Sequence, residues 1–219
     1  MTRAEVRARI EQIGIIPGVR LSTAMRARFA AEAVYRSGIP IAEIPMTVPG
    51  ALDVIRELSS KYPDMAVGAG TVLDLDTARR CVNAGARFLT STGLVPEVVE
   101  FALANDLVVF PGATTPTEVI EAWKTGADFV KVFPCGPMGG PSYIRTLKFP
   151  FPNIPLIATG GVNQLTAGSF ILAGAAALGI GTELINPESL PEMNESQIHE
   201  LARRYLGMVK AAREQKAGA

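Results

Sequence analysis

The clearest β-strand in the chain is Asp128-Phe129-Val130-Lys131-Val132-Phe133-Pro134. Side chains alternate along a strand, so Phe129, Lys131 and Phe133 share one face while two valines occupy the other. Both faces are therefore apolar, which is typical of a parallel sheet that is covered on both sides. This strand predicts an α/β fold and places one basic side chain inside it.

Lys131 is the first candidate catalytic residue. Lysines are almost never fully buried without a partner, and burial disfavours the charged ammonium relative to the neutral amine. A neutral amine attacks a carbonyl carbon to form a Schiff base, so the position predicts a covalent enzyme. The alternative is a strand-end lysine whose ammonium reaches solvent along its apolar stem. We favour the first interpretation because no other basic group lies within three residues and Pro134 ends the strand.

Strand and helix patterns alternate along the whole chain. This alternation predicts one (β/α)₈ TIM barrel domain over residues 1–219, with a doubly wound open sheet as the competing architecture. Apolar residues at helical spacing predict an N-terminal helix that caps the bottom of the barrel and a C-terminal helix that packs outside. The predicted strands are Ile15–Val19, Ile41–Ile44, Ala66–Gly70, Arg87–Thr90, Leu107–Phe110, Asp128–Phe133, Leu156–Thr159 and Ala176–Ile180, and the predicted helices span about 23–37, 49–61, 74–84, 96–105, 116–125, 141–148 and 165–173.

The composition disfavours two kinds of partner. Hydrophobic residues make up 48% of the 219 residues and charged residues 19%, as in a soluble globular protein. Lys+Arg and Asp+Glu both number 21, so no basic surface for nucleic acid is expected. The most apolar stretch, 170–180, is too short to span a bilayer, and the first residues lack the apolar core of a signal peptide. We therefore expect a cytoplasmic protein with neither nucleic acid nor membrane as a partner.

The cysteines and the single histidine disfavour several catalytic mechanisms. Cys81 and Cys135 form no disulfide framework and have no metal-ligand spacing around them, so we interpret both as packing residues. His199 lies among polar neighbours in the C-terminal helix and is interpreted as a surface residue. A histidine-dependent triad and a site with several histidine ligands are therefore disfavoured, and no metal is expected.

Glu43 is the second candidate catalytic residue, in the strand Ile41-Ala42-Glu43-Ile44. The active site of a barrel forms at the C-terminal ends of its strands, where a glutamate is most often only a rim residue. We favour the interpretation that an amine and a carboxylate on apolar strands of one barrel face the same site. The pair predicts a nucleophile with a proton shuttle.

Glycine-rich segments follow the last two strands. They are Ala158-Thr159-Gly160-Gly161-Val162 and Gly179-Ile180-Gly181-Thr182. Backbone N–H groups at glycines can approach an anion closely, and the loops after strands seven and eight recur as phosphate sites in this fold. The pair predicts a phosphorylated substrate, and the alternative is that the glycines only permit tight turns.

Two further residues are candidates for binding a substrate carboxylate. Gly68-Ala69-Gly70-Thr71-Val72-Leu73 begins like a dinucleotide fingerprint, but Leu73 stands in the place of the third glycine, so a nicotinamide site is disfavoured. The Thr71 hydroxyl is available to a carboxylate instead. Arg20 closes the first strand, and for this residue carboxylate binding and simple surface solvation are equally open.

Together these residues resemble the 2-keto-3-deoxy-6-phosphogluconate (KDPG) aldolase family, also called 4-hydroxy-2-oxoglutarate (KHG) aldolase. The resemblance covers nearly the whole chain and rests on Glu43-Ile44, Gly68–Val72, Pro111-Gly112, Lys131–Pro134, Thr159–Val162 and Gly179–Thr182. It implies a (β/α)₈ barrel that forms a homotrimer and needs no cofactor or metal. The implied site residues are Lys131 for the Schiff base, Glu43 for acid–base chemistry, Thr71 and Phe133 for pyruvate, and Gly160, Gly161, Gly181 and Thr182 for phosphate.

The resemblance implies cleavage of KDPG to pyruvate and glyceraldehyde 3-phosphate, and it leaves room for cleavage of KHG to pyruvate and glyoxylate. Two departures leave the substrate open. Many members carry an arginine that holds the pyruvate carboxylate where this chain has Thr47, so Arg20 would have to bind that carboxylate instead. The second departure is Ser91-Thr92-Gly93, where many members have Ser-Pro-Gly. The alternatives are a 2-keto-3-deoxy-6-phosphogalactonate aldolase and a phosphate-binding barrel, isomerase or sensor, that forms no covalent adduct.

Overall fold

The structure is a computed structural model that describes residues 1–186 and 195–218. Parallel strands alternate with helices in it from the first strand to the last. The strands are β1 Ile15–Pro17, β2 Ile41–Pro45, β3 Ala66–Gly70, β4 Phe88–Thr90, β5 Val108–Phe110, β6 Gly112–Ala113, β7 Val130–Val132, β8 Leu156–Thr159 and β9 Ala177–Ile180. The helices are α1 Arg3–Ile13, α2 Ala24–Arg36, α3 Ala51–Lys61, α4 Leu75–Asn83, α5 Pro96–Ala104, α6 Pro116–Lys124, α7 Pro141–Lys148, α8 Ala167–Leu172 and α9 Glu195–Ala217.

The strands close into a barrel. They pair in the orders β1-β9-β8-β7-β6 and β2-β3-β4-β5, and every pair is parallel. A bridge from Gly18 to Glu43 joins β1 to β2, where the Val19 N–H donates to the Glu43 carbonyl at 2.9 Å. At the other junction β5 and β6 are two halves of one barrel strand, separated by Pro111. The predicted (β/α)₈ barrel is therefore confirmed, and the open sheet is excluded.

The predicted elements are all present, with small shifts at their ends. The strand predicted over 128–133 is assigned only over Val130–Val132. Its pairing nevertheless continues on both sides, because the Asp128 N–H donates to the Val109 carbonyl and the Phe133 N–H to that of Ala113. The helix predicted from residue 49 begins at Ala51, after a glycine in the left-handed conformation.

Helix α1 covers the N-terminal end of the barrel, as predicted. Its side chains Val6 and Ile10 are buried, and its Arg3 guanidinium binds the buried Asp128 carboxylate at 3.0 Å. Helix α9 packs on the outside against α8 and α2. Arg213 of α9 ties the two terminal helices together, because its guanidinium donates to the carbonyl groups at the end of α1. No helix in the described ranges is long and apolar enough to cross a membrane.

Aromatic rings fill the barrel interior below the site. Phe88 and Phe110 stack with their centroids 5.3 Å apart, and Phe129 meets Phe110 edge-on at 6.2 Å. Gly68 makes room for this stack, since a Cβ there would lie 2.2 Å from the Phe88 ring.

Candidate active site

A cavity of about 240 Å³ opens at the C-terminal ends of the strands. Residues at or just after the ends of β1, β2, β7, β8 and β9 line most of it. They are Gly18, Arg20, Glu43, Pro45, Thr92, Lys131, Phe133, Thr159, Gly160, Gly161, Val162, Gly179, Ile180, Gly181, Thr182 and Glu183. The cavity therefore lies where barrel enzymes place their active sites.

Lys131 projects from β7 into this cavity. The residue is only 6% exposed, and its Nζ lies 5.8 Å from the centroid of the Phe133 ring. Within residues 1–186 and 195–218, Nζ makes no hydrogen bond and no ion pair within 4.0 Å. A lysine this buried without a carboxylate partner is rare, because isolated buried charge is costly. The arrangement leaves the nitrogen lone pair or its protons free for a molecule in the cavity.

Glu43 reaches the same cavity from β2, on the opposite wall. It is half-buried, and no ion pair within 4.0 Å joins its carboxylate to the Lys131 ammonium in the described part of the chain. The two groups thus face one space without contacting each other. That separation leaves room for substrate atoms or a water molecule between amine and carboxylate.

Arg20 lies at the mouth of the cavity, just after β1. Its Nη1 donates to the Thr47 hydroxyl at 2.5 Å and its Nη2 to the Thr71 hydroxyl at 3.4 Å. Thr71 has a φ of 56°, an unusual conformation for a β-branched residue and one that is found mostly at functional sites. Thr71 itself does not line the cavity but lies behind Arg20. Arg20 and Thr71 together form a polar group at the mouth of the cavity that holds Lys131 and Glu43.

The two glycine-rich segments lie side by side in the wall of the cavity, because β8 and β9 are paired. In the described ranges, the backbone N–H groups of Gly160, Gly161, Gly181 and Thr182 donate to no acceptor. Gly161 has a φ of 91°, and a Cβ there would lie 2.6 Å from the Gly136 Cα, so only glycine fits. Free N–H groups on converging loops bind anions.

Eight of the nine residues predicted for the site line the cavity, and Thr71 contacts it through Arg20. Sequence reasoning missed Thr92, Thr159 and Glu183. The Thr159 hydroxyl is buried and has no hydrogen-bond partner among the described residues. Its strand position signalled this location, because Thr159 shares a face of β8 with the inward-facing Ile157. Thr92 was noted only as a departure from the family's Ser-Pro-Gly, and nothing in the sequence pattern distinguished Glu183 from ordinary loop residues.

His199 lies only partly at the surface, where the sequence predicted it. It is half-buried between α9 and α2, where its Nδ1 lies 2.9 Å from the Oγ of the buried Ser37. Polar neighbours in the sequence concealed this contact because only one side of α9 packs against the barrel. In the part of the chain that the structure describes, no group of three His, Cys, Asp or Glu residues is arranged to hold a metal.

Both cysteines are buried, as expected for packing residues. Burial raises the pKa of the Cys135 thiol to about 11 and that of the Cys81 thiol to about 12. Because the raised values keep both thiols protonated at pH 8, and because only the thiolate reacts readily, the native protein is expected to resist a disulfide reagent. Spectrophotometric titration should find no fast thiol in the native state and two after denaturation. A thiol that reacts at the rate of free cysteine in the folded protein would contradict this expectation.

A closed parallel barrel whose C-terminal cavity holds a buried lysine and a glutamate is a barrel enzyme that acts on a small molecule. The family model described as "Aldolase: KDPG and KHG aldolase" matches residues 6–201. The chain belongs to the KDPG and KHG aldolase family and is an aldolase, a carbon–carbon lyase. The resemblance inferred from the sequence motifs is confirmed.

Relatives with two different substrate names resemble the chain. A 2-dehydro-3-deoxy-phosphogluconate aldolase of Pseudomonas aeruginosa is 31% identical over 80% of each chain. A 2-dehydro-3-deoxy-6-phosphogalactonate aldolase of Escherichia coli is also 31% identical, over 79% of this chain and 85% of its own. The solved KDPG aldolase of Legionella pneumophila has a TM-score of 0.82 and 28% identity, and it covers 90% of this chain and 96% of its own. That structure holds pyruvate as a covalent carbinolamine intermediate.

Proposed function

We propose that this protein cleaves KDPG to pyruvate and glyceraldehyde 3-phosphate through a Schiff base on Lys131. The observation that carries the proposal is the amine of Lys131, which has no hydrogen-bond or ion-pair partner among the described residues and is buried in a cavity that also holds the Glu43 carboxylate. A desolvated amine without a partner is suited to nucleophilic attack. The covalent pyruvate adduct in the Legionella pneumophila relative supports the same chemistry here.

The reaction begins at the C2 ketone of the substrate. The Lys131 nitrogen attacks C2, and the carbonyl oxygen leaves as water after protonation, with Glu43 moving protons directly or through a water molecule. Glu43 then accepts the proton of the C4 hydroxyl. The bond between C3 and C4 breaks, its electron pair moves toward the iminium nitrogen, and glyceraldehyde 3-phosphate leaves. Protonation of the resulting enamine at C3 and addition of water release pyruvate and restore the amine.

Arg20 and Thr71 are suited to hold the carboxylate at C1. A guanidinium binds a carboxylate through two parallel hydrogen bonds, and Arg20 is the cationic side chain at this end of the cavity. Its Nη1 reaches the hydroxyl of Thr47, the position where many family members carry arginine. We therefore propose that Arg20 supplies the missing guanidinium from a neighbouring strand, while the ring of Phe133 packs against the pyruvate moiety.

The glycine-rich wall of the cavity is suited to the phosphate at C6. Four N–H groups without acceptors in the described ranges belong to Gly160, Gly161, Gly181 and Thr182, and neither segment, 158–162 or 179–182, contains a lysine or arginine. The backbone is thus the phosphate ligand that we propose.

Cleavage of KHG is a second candidate activity, because the matching family model carries both substrate names. The 31% identity to the Escherichia coli galactonate enzyme favours the galactonate epimer as the other candidate.

A homotrimer, a cytoplasmic location and one domain over residues 1–219 stay predictions. One continuous hydrophobic core supports the single domain, although residues 187–194 and 219 lie outside the described part of the chain. A cage built by fusing symmetric oligomeric domains matches this chain with 27% identity and a TM-score of 0.87, which supports an oligomer.

Trapping with pyruvate tests the covalent route. Incubation with pyruvate and borohydride is expected to reduce the Schiff base and leave a carboxyethyl group on Lys131, found by peptide mass spectrometry. Omission of pyruvate is the matched control. A chain that turns over KDPG but leaves Lys131 unmodified would point to a non-covalent barrel enzyme, and binding without turnover would point to a sensor. Comparison of kcat/KM for the gluconate and galactonate epimers and for KHG then identifies the substrate.

A further inference from the structure

We propose that Gly70 and Gly18 are positioning residues whose missing side chains fix the place of the Glu43 carboxylate. We call this pair the glycine seat. The inference rests on the proposed role of Glu43 in proton transfer. It concerns a separate question, namely what holds that carboxylate in the cavity.

The glycine seat lies on the two strands that flank Glu43. A Cβ built on Gly70, at the end of β3, would lie 1.4 Å from the Glu43 Oε1 and 2.4 Å from its Cδ. A Cβ built on Gly18, just after β1, would lie 3.3 Å from Oε2. Each carboxylate oxygen therefore rests against the main chain of a different neighbour of β2.

Hydrogen bonds do not explain this placement. In residues 1–186 and 195–218, no donor binds the Glu43 carboxylate, although Glu43 is half-buried. The position of the carboxylate is therefore set by its steric fit against Gly18 and Gly70. Its oxygen lone pairs stay free for a substrate hydroxyl or a water molecule. A general base whose lone pairs were taken by protein donors would accept a proton less readily.

Backbone conformation does not explain the glycines either. Neither Gly18 nor Gly70 has a φ in the left-handed region, so both positions accept an alanine backbone without strain. The three atoms that a Cβ on Gly70 would approach most closely all belong to Glu43. The close approach of the Glu43 side chain is thus the reason for glycine at position 70.

Gly70→Ala is expected to push the Glu43 carboxylate aside and lower kcat for KDPG by roughly 10- to 100-fold, since displacement of a catalytic group by about 1 Å has effects of that size. The KM is expected to change little, because Arg20 and the glycine-rich loops remain in place. Gly18→Ala is the graded comparison, with a loss of only about two- to fivefold, because a contact of 3.3 Å yields with a small shift. Circular dichroism and thermal unfolding show whether each variant folds.

A double-mutant cycle with Glu43→Ala completes the test. Alanine removes the Cγ, Cδ and Oε1 atoms that a Cβ at position 70 would meet, so Gly70→Ala is expected to cost less than about threefold of the residual kcat in the Glu43→Ala background. Equal losses in both backgrounds would overturn the glycine seat, and so would a Gly70→Ala enzyme with normal kcat. Failure of the proposed function would show differently, because Glu43→Ala alone would then leave kcat at the original level. If Gly70→Ala does not fold, restored folding in the double variant supports the glycine seat. A double variant that also fails to fold overturns it.

Discussion

Lys131→Ala is expected to lose KDPG cleavage altogether, with a fall in kcat on the order of 10⁶-fold, as for other covalent enzymes that lose their nucleophile. The amine of Lys131 is the group that bonds to substrate in the proposed reaction, and the described residues around the cavity contain no second lysine to replace it. Lys131→Arg is expected to be equally inactive, because a guanidinium stays protonated and does not form a Schiff base. The measurement is steady-state turnover coupled to the release of pyruvate.

Stability provides the control for this loss. Lys131 is 6% exposed and makes no ion pair within 4.0 Å in the described chain, so no ionic contact of the fold depends on its side chain. Lys131→Met keeps an unbranched side chain of similar length and removes the charge. We expect this variant to unfold at the same temperature as the original protein or a higher one, while its turnover is lost. An inactive variant that is also much less stable would instead indicate that Lys131 is structural, and an active one would refute the covalent route.

Lys131 was predictable from sequence because its signal is local. A lysine within an apolar strand stands out through alternation alone, and the same reasoning found Glu43 on its own strand. The barrel followed from the regular spacing of strands and helices. The division of one barrel strand into β5 and β6 at Pro111 did not follow, because it depends on where the ladder to β4 ends and the ladder to β7 begins, which is a tertiary property.

The glycine seat shows what sequence reasoning could not supply. Gly70 was noted only as part of a small-residue segment, and Gly18 only as part of a strand. Their contact with Glu43 depends on which strands flank β2 and on the register of their pairing, which aligns Glu43 with Gly68 and places Gly70 two residues beyond. Glu183 was missed for the same reason, because it enters the cavity from a loop without a periodic pattern.

The contact between Arg20 and Thr47 is a third tertiary feature. The sequence left open whether Arg20 serves substrate or solvent. The structure places its guanidinium between the hydroxyls of Thr47 and Thr71, and Arg20 lines the cavity. Arg20 follows β1, whereas Thr47 follows the neighbouring strand β2. A guanidinium can therefore reach the same place from β1 as from β2. The lack of an arginine at position 47 does not establish that the site lacks a guanidinium.

Glu43→Gln is expected to lower kcat by roughly 10²- to 10⁴-fold, the range for a positioned acid–base group. Glutamine has the same shape, so it fits between Gly18 and Gly70 without displacing anything, but its amide cannot accept the proton of the C4 hydroxyl. The exchange of pyruvate methyl protons with D₂O, followed by NMR, reports proton transfer at C3 of the Schiff base without bond cleavage, and it tests whether Glu43 also moves the C3 proton. We expect the exchange to slow by a similar factor, while borohydride still traps pyruvate on Lys131 after long incubation.

Glu183→Gln makes the same change of charge at an exposed position on the rim of the same cavity. Its effect on kcat is expected to stay below about threefold, because exposed charges interact weakly across solvent. The comparison separates proton transfer from general electrostatics. Equal losses of kcat in the two variants would mean that negative charge in the cavity, and not a proton carried by Glu43, drives the reaction. A Glu43→Gln enzyme within threefold of the original rate would remove Glu43 from the mechanism and leave proton transfer to water alone.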